Sequence, residues 1–585
     1  MFLGHWTYLA GVSNGNRVLF LDEGSVFENN GAVVEGGVFL LTKAILLMIN
    51  STVFNATAGQ AGGFLALKEG STAYIYSMKV SNCFSEKGGF VEADMVSSVY
   101  IFDSEIEKCE ADVGSLFFLS NGFNAEIVIS NCFFSNNNGS ESFQILSESF
   151  TVSIINVIFL GSSELLLLSN CFATISNVTV LNMTCSLELS GCFGSFIDQS
   201  TAFISNIIIE NLQTNSLGGI FYVYYSNLTC VSLESNQITN EGLGSLLYSD
   251  ISNIFINSSN FSYFKYDGLR LTNSNCTIQN TIFNNGESIY SLTASALFCF
   301  DCNNLIVINC SFLNIFSTQN GSCIYLSGST QILQYEIINS IFKNNTSLIS
   351  GGALYHNKLA IGIVSNSSFE FQSAKIGGVL VFDCSNIENM QCTLNLYFNK
   401  FSNNYASYEG GVLKWNYIAP QNISSNTFVN NSANVYGDII ANIPIRYGLN
   451  VYQNNETIIN YFQNNSFLKN GLILNGSNSG DVLSYQIELF LLDSYNKLYT
   501  GSNDLSMKVD LFVPVNETSN YFLEDQNQNI TKNNLSYLFG TTTINIQNDS
   551  FYFDKISIVS TPNSTAFLRF YTSSINSFFE GLLGE

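Results

Sequence analysis

The sequence predicts an all-β protein whose main body is a parallel β-solenoid, and three observations carry that prediction. One phrase recurs through most of the chain at a nearly fixed spacing. Each copy is too short to hold strands and a helix together. A Gly-Gly pair punctuates the copies at a constant point. Residues 339–413 show the phrase best: Asn339-Ser340-Ile341-Phe342-Lys343-Asn344-Asn345 leads to Gly351-Gly352-Ala353-Leu354. Variations follow through Phe369 to Gly377-Gly378-Val379-Leu380, and through Phe401 to Gly410-Gly411-Val412-Leu413. A unit copied at fixed spacing signals a repeat architecture.

Marking the apolar residue that closes each Asn/Ser phrase gives sixteen positions. They are Phe27, Phe54, Phe84, Ile106, Phe134, Phe159, Val180, Ile208, Ile238, Phe261, Phe283, Phe312, Phe342, Phe369, Phe401 and Phe428. The mean interval, (428 − 27)/15, is about 27 residues, within the range of solenoid repeats. Further Gly-Gly pairs stand at Gly36-Gly37, Gly62-Gly63, Gly88-Gly89 and Gly218-Gly219, where a corner needs φ > 0 or close backbone approach. Neither a Leu-x-x-Leu-x-Leu ladder nor a 3.6-residue apolar period is present, which excludes leucine-rich and helical repeats. One coil cannot bury its own apolar face; stacked about 4.8 Å apart, successive coils cover one another. About sixteen rungs then make a rod roughly 75 Å long, with a phenylalanine column inside and asparagine columns at the turns.

The elements follow in order. Residues 1–19 are an N-terminal cap or a truncated first rung, and 20–445 are the solenoid. Beyond 446 the double glycines and cysteines stop. Residues 446–480 read as a linker, and 481–585 as an antiparallel β-sandwich. Its strands include Tyr485–Leu492, with a turn at Asp493–Lys497.

The paired signals Phe-x-x-Asn (Phe27 with Asn30, Phe134 with Asn137, Phe342 with Asn345, Phe401 with Asn404, Phe428 with Asn431) and Gly-Gly-apolar-apolar resemble the repeats of chlamydial polymorphic outer-membrane proteins. Those belong to the pectin-lyase-like group, and similar repeats occur in large surface proteins of ciliates. The resemblance covers roughly residues 20–445 and implies a right-handed parallel β-helix. The bacterial proteins carry a signal peptide and a membrane barrel, and this chain shows neither pattern. The strand and turn at 485–497 are similar to Ig-like modules that follow β-helices in surface proteins.

Composition narrows function. Charged residues are 11% against 46% hydrophobic, and 45 acids against 20 bases leave a formal charge of −25. Such a surface repels nucleic acid and anionic lipid. No apolar run reaches the roughly 18–20 residues of a spanning helix, so any membrane anchor lies outside this chain. No nucleotide-binding motif occurs, and no cofactor is expected.

Uronate hydrolases need clustered aspartates, and lyases a Ca²⁺-binding acid cluster with a base. Asp301, Asp383 and Asp438 fall near rung turns without a suitable partner in sequence. His356 reads as a turn residue and is the one catalytic position to test, the other histidine being His5. Cys299-Phe300-Asp301-Cys302 lacks the second half of a zinc site and reads as a disulfide or as stacked thiols. Cys83, Cys132 and Cys310 are expected in one buried column. About two dozen Asn-x-Ser/Thr sequons occur, with Asn55, Asn138, Asn182, Asn257, Asn345, Asn366, Asn516 and Asn563 as glycosylation candidates at surface turns. The expectation is a non-enzymatic extracellular or cell-surface rod serving adhesion, recognition or spacing, with glycans or surface proteins as partners. The alternative is a carbohydrate-active enzyme with a groove along the helix.

Overall fold

The computed structural model describes residues 2–3, 7–10 and 18–460, apart from 95, 121–124, 140, 163, 186–190, 290–295, 385–391, 445 and 455. Beyond these it describes 479–495, 497–500, 505–512, 537–559 and 567–572.

Residues 18–442 coil into a parallel β-solenoid with three stacked faces. One rung shows the pattern: Leu65–Lys68 lies on the first face, Thr72–Tyr76 on the second and Lys79–Ser81 on the third. Each pairs in parallel with its counterpart 26 residues on: Leu65 with Val91, Thr72 with Ser98, and Lys79 with Glu105. Along the first face the register runs from Phe39 to Ile440 in fifteen steps, a mean of (440 − 39)/15, about 26.7 residues. A short fourth sheet of Gly31–Ala32, Thr57–Ala58, Phe84–Lys87 and Glu110–Val113 flanks the first rungs.

The corners explain the composition. Between the second and third faces, and again after the third, most rungs place one residue in the left-handed region, and asparagine dominates: Asn50, Asn131, Asn309 and Asn339 at the first corner, Asn55, Asn136, Asn314 and Asn344 at the second. Asparagine tolerates that conformation better than any residue except glycine. Outward asparagines hydrogen-bond from rung to rung, as in the chain Asn206 to Asn177 (3.0 Å), Asn177 to Asn156 (2.9 Å), Asn156 to Asn131 (3.0 Å) and Asn131 to Asp103 (3.0 Å). The asparagine of each Phe-x-x-Asn phrase turns inward instead. Asn345 accepts the Ile315 N–H at 2.9 Å, and Asn404 accepts that of Gln372 at 2.9 Å. Each satisfies a buried corner donor that the ladder leaves open.

The double glycines do two different jobs. Gly351 takes φ +66°, while a Cβ on Gly352 would fall 2.1 Å from the Gly378 carbonyl of the next rung.

From Phe261 to Phe428 the phenylalanine column is continuous, with successive ring centroids 4.6–5.3 Å apart. Four sequence marks are corrected. Phe54, Phe84 and Ile208 face solvent, and the inward residues of those rungs are Val53, Val80 and Ile209. Ile238 is buried, but in the neighbouring column with Leu212 and Phe264; Ser235 takes the ladder position. Side chains alternate along a strand, so a slip of one residue reverses the face.

Both ends of the stack carry antiparallel strands. Phe2–Leu3 pairs with Val26–Glu28, and Thr7–Ala10 with Val18–Glu23. At the other end Arg446–Gln453, expected as linker, is a strand paired with Tyr485–Leu492. Tyr447, Leu449 and Val451 pack one side of that strand against the core, an alternation of apolar residues that could have signalled it. The region beyond contains antiparallel sheets of four, three and two strands sharing one core around Leu491, Met507, Val509 and Phe551. It seats on the last rung: the Tyr436 hydroxyl donates to Asp493, Asn442 Nδ2 lies 2.6 Å from Ser494 Oγ, and Thr500 Oγ1 donates to the Val435 carbonyl at 2.9 Å.

Candidate functional site: an aromatic trough along the first face

Where the first face looks outward, one column changes character along the rod. Register places Tyr222, Tyr248, Arg270, Phe298, Tyr325 and Tyr355 in line on six successive rungs. Five steps of about 4.8 Å make this run roughly 24 Å long. Tyr222 stacks on Tyr248 with centroids 5.8 Å apart, and Phe298 on Tyr325 and Tyr325 on Tyr355 at 5.3 Å each. The Arg270 guanidinium covers the Phe298 ring at 4.3 Å, a cation–π contact, and is held by Asp267 at 2.7 Å.

Asp267 comes from the corner that precedes the first face. Glu35 and Glu409, each just before the double glycine of its rung, reach Lys68 at 3.4 Å and Lys414 at 2.9 Å. The four tyrosines are half-buried in a trough while Phe298 is buried beneath Arg270, and burial raises the phenol pKa of Tyr222, Tyr248 and Tyr355. Rigid aromatic side chains beside one cation bind extended partners with little loss of side-chain freedom.

Nearer the N-terminus the same trough is charged. Lys68 contacts Glu92 at 3.0 Å and Asp94 at 3.4 Å besides Glu35. Burial alone would lower the Lys68 pKa, but the Glu92 hydrogen bond and the surrounding carboxylates outweigh it and hold the amine as a cation. A second acidic pair, Glu141 and Glu164, sits on adjacent rungs. Glu164 is 2% exposed, among the described residues neither of its oxygens has a hydrogen-bond partner, and burial beside Glu141 pushes its carboxyl up to about 9.

The residues singled out from sequence disperse. Asp301 is locked at a corner by the backbone and hydroxyl groups of Ser329 and Thr330, and these donors overcome burial to lower its pKa. Asp383 ends the strand Leu380–Asp383, and Asp438 accepts the Ala433 N–H at 3.1 Å. The structure does not bring the three together. Cys299 and Cys302 form a disulfide, as do Cys185 with Cys192 and Cys384 with Cys392. Cys132 and Cys310 occupy equivalent buried corners before the third face, but Cys83 sits one corner later, above Cys109. The three therefore do not share a column.

Among the glycosylation candidates, Asn55, Asn182 and Asn366 are left-handed corner residues at or near the surface, with Asn138 exposed and Asn257 partly so. Asn345 is corrected: it is fully buried, its Nδ2 donating to the Phe312 carbonyl at 3.0 Å, because the inward corner needs its amide. Asn516, Asn563 and His5 lie outside the described residues.

His356 is not a turn residue. It lies in the strand Leu354–Ser365, in the inward column between Leu326 and Phe382, and is fully buried. Nδ1 is 2.8 Å from the Tyr335 hydroxyl and Nε2 is 3.4 Å from Cys392 Sγ, while Phe382 meets the ring edge-on at 4.6 Å. Burial keeps the imidazole neutral, pushing its pKa down to about 3. Tyr335 reaches across because Gly362, on the next rung, leaves its ring room; a Cβ there would meet the ring at 2.0 Å.

Comparison with known proteins agrees with the coil. The chain is a parallel β-helix repeat protein: residues 163–346 match the family described as right handed beta helix region. A transmembrane domain-containing protein of Dictyostelium discoideum is 25% identical over 341 residues, which cover 56% of this chain. The match spans 19% of that relative's length. No solved structure matches. Among the described residues no helix is long and apolar enough to cross a membrane.

Proposed function

We propose that this chain is the recognition rod of an extracellular or cell-surface protein, binding an extended partner, a glycan or a surface protein segment, along the trough without turning it over. The observation that carries the reading is the run from Tyr222 to Tyr355, rigid stacked rings repeated at the rung spacing with Arg270 set among them. The three disulfides fit an oxidising compartment. Membrane attachment through a segment beyond this chain would accord with the name of the Dictyostelium relative.

The test is binding of the purified chain to an array of extracellular polysaccharides and surface proteins, alongside Tyr325→Ala and Tyr355→Ala. The expected result is a partner whose affinity falls about tenfold or more in each variant, the cost of losing an aromatic anchor. Binding that both variants retain would refute the trough.

A second reading, a polysaccharide lyase or glycoside hydrolase, draws on the Lys68, Glu35, Glu92 and Asp94 cluster in the same trough. Turnover of pectin, alginate or chitin oligomers, abolished by Lys68→Met, would establish it instead.

A further inference from the structure

We infer that Cys384, Cys392 and His356 form a redox-gated zinc site, closed by the disulfide and opened by its reduction. The two sulfurs and a ring nitrogen of His356 all lie within 4.8 Å of one another, and all three residues are buried. The histidine is arranged as a ligand. Nε2 faces the sulfur pair, while Nδ1 is engaged by the Tyr335 hydroxyl at 2.8 Å. In the neutral tautomer that carries its proton on Nδ1, the ring donates to Tyr335 and turns the Nε2 lone pair toward the sulfurs. Such an outer partner is the usual means of orienting a metal-bound imidazole.

The dimensions agree. Zn–S bonds near 2.3 Å and Zn–N bonds near 2.0–2.1 Å set tetrahedral N···S edges of roughly 3.6 Å. The Nε2 to Cys392 Sγ distance is 3.4 Å. The sulfurs must part to roughly 3.8 Å, the S···S edge of the same tetrahedron, a displacement that side-chain rotation can supply.

Charge selects the ion. Two thiolates and a neutral imidazole carry −2, which Zn²⁺ cancels inside an apolar core, whereas Cu⁺ would leave a buried net charge. The fourth zinc position is left to water, as in three-ligand zinc sites.

The step balances. Two thiol equivalents of a cellular or added reductant give two electrons and two protons to the Cys384–Cys392 disulfide and become a disulfide themselves. The two cysteine thiols formed then release two protons to solvent as Zn²⁺ binds. The inference is independent of the proposed recognition function: an oxidising compartment holds the pair as a disulfide, and a reducing one loads it.

The test uses the full chain. Oxidised protein, and protein reduced with a phosphine and desalted, are titrated anaerobically with Zn²⁺, and bound metal is counted by elemental mass spectrometry. Co²⁺ replaces zinc to report thiolate ligation by its charge-transfer absorption. Expected are one tightly held Zn²⁺ in reduced protein and none in oxidised protein. That ion should be lost in His356→Phe and Cys392→Ser, and retained in the Cys185→Ser/Cys192→Ser pair, which lacks a histidine. Tyr335→Phe should weaken it ten- to a hundredfold, the usual cost of losing an orienting partner. Reduced protein with unchanged circular dichroism that takes up no zinc overturns the inference. So does uptake that His356→Phe leaves intact, or preferential loading with Cu⁺. Should His356→Phe fail to fold, a Co²⁺ spectrum without thiolate bands in the native sequence has the same force.

Discussion

Phe342 and Phe84 occupy places in the repeat that look alike in sequence, yet one is core and the other is 47% exposed. Phe342 stacks between Phe312 and Phe369 at 4.8 and 4.6 Å. Its replacement by alanine should lower stability by about 3–5 kcal/mol, transfer loss plus cavity, whereas Phe84→Ala should stay within about 0.5 kcal/mol. Paired urea titrations of the two variants check this contrast. Glu164 offers a pH test. In the fold its carboxyl stays protonated up to about 9, while in the unfolded chain it ionises near 4.3. Over that window the unfolded state binds fewer protons, so stability is full below the lower value and falls as pH rises toward 9. Glu164→Gln should remove the slope. Its melting temperature should exceed that of the natural chain at pH 8 and converge with it near pH 4; a gap independent of pH would show that Glu164 is ionised in the fold.

Elements obey the repeat more strictly than residues do. The Gly-Gly corner was legible because two separate constraints, a left-handed φ and contact with the neighbouring rung, each admit little but glycine. Gly378→Ala would drive a Cβ to 2.2 Å from the Gly411 carbonyl. It should cost several kcal/mol and shift the unfolding midpoint well below that of Gly24→Ala, where no atom lies within 4 Å of the added carbon. Strand phase was less legible. Phe54 follows Val53, and Phe84 follows Cys83 at a corner, so an aromatic beside an equally apolar neighbour gives no sign of which one points inward. Of the zinc candidate only His356 stood out in sequence: Cys392 lies 36 residues beyond it, more than a full rung, and local ligand spacings do not reach that far. The aromatic trough is hidden in the sequence for the same reason, since its residues are neighbours across rungs, not along the strand.

For the whole molecule, the decisive feature is how the stack stops. Parallel rungs present open backbone donors and acceptors at each end, and such an edge recruits further strands. Here the strands added at the N-terminal end run the opposite way, and at the far end a separate antiparallel sheet covers the last coil, tied to it through Asp493, Ser494 and Thr500. Removing residues 446–585 should leave a rod that self-associates, visible as a concentration-dependent rise in mass by light scattering, while the full chain keeps a constant mass. A fold whose every layer is a template for the next, and whose backbone pairing matches that of amyloid, thus carries its own instruction to stop growing, and its length is written in the gene instead of being left to concentration and time.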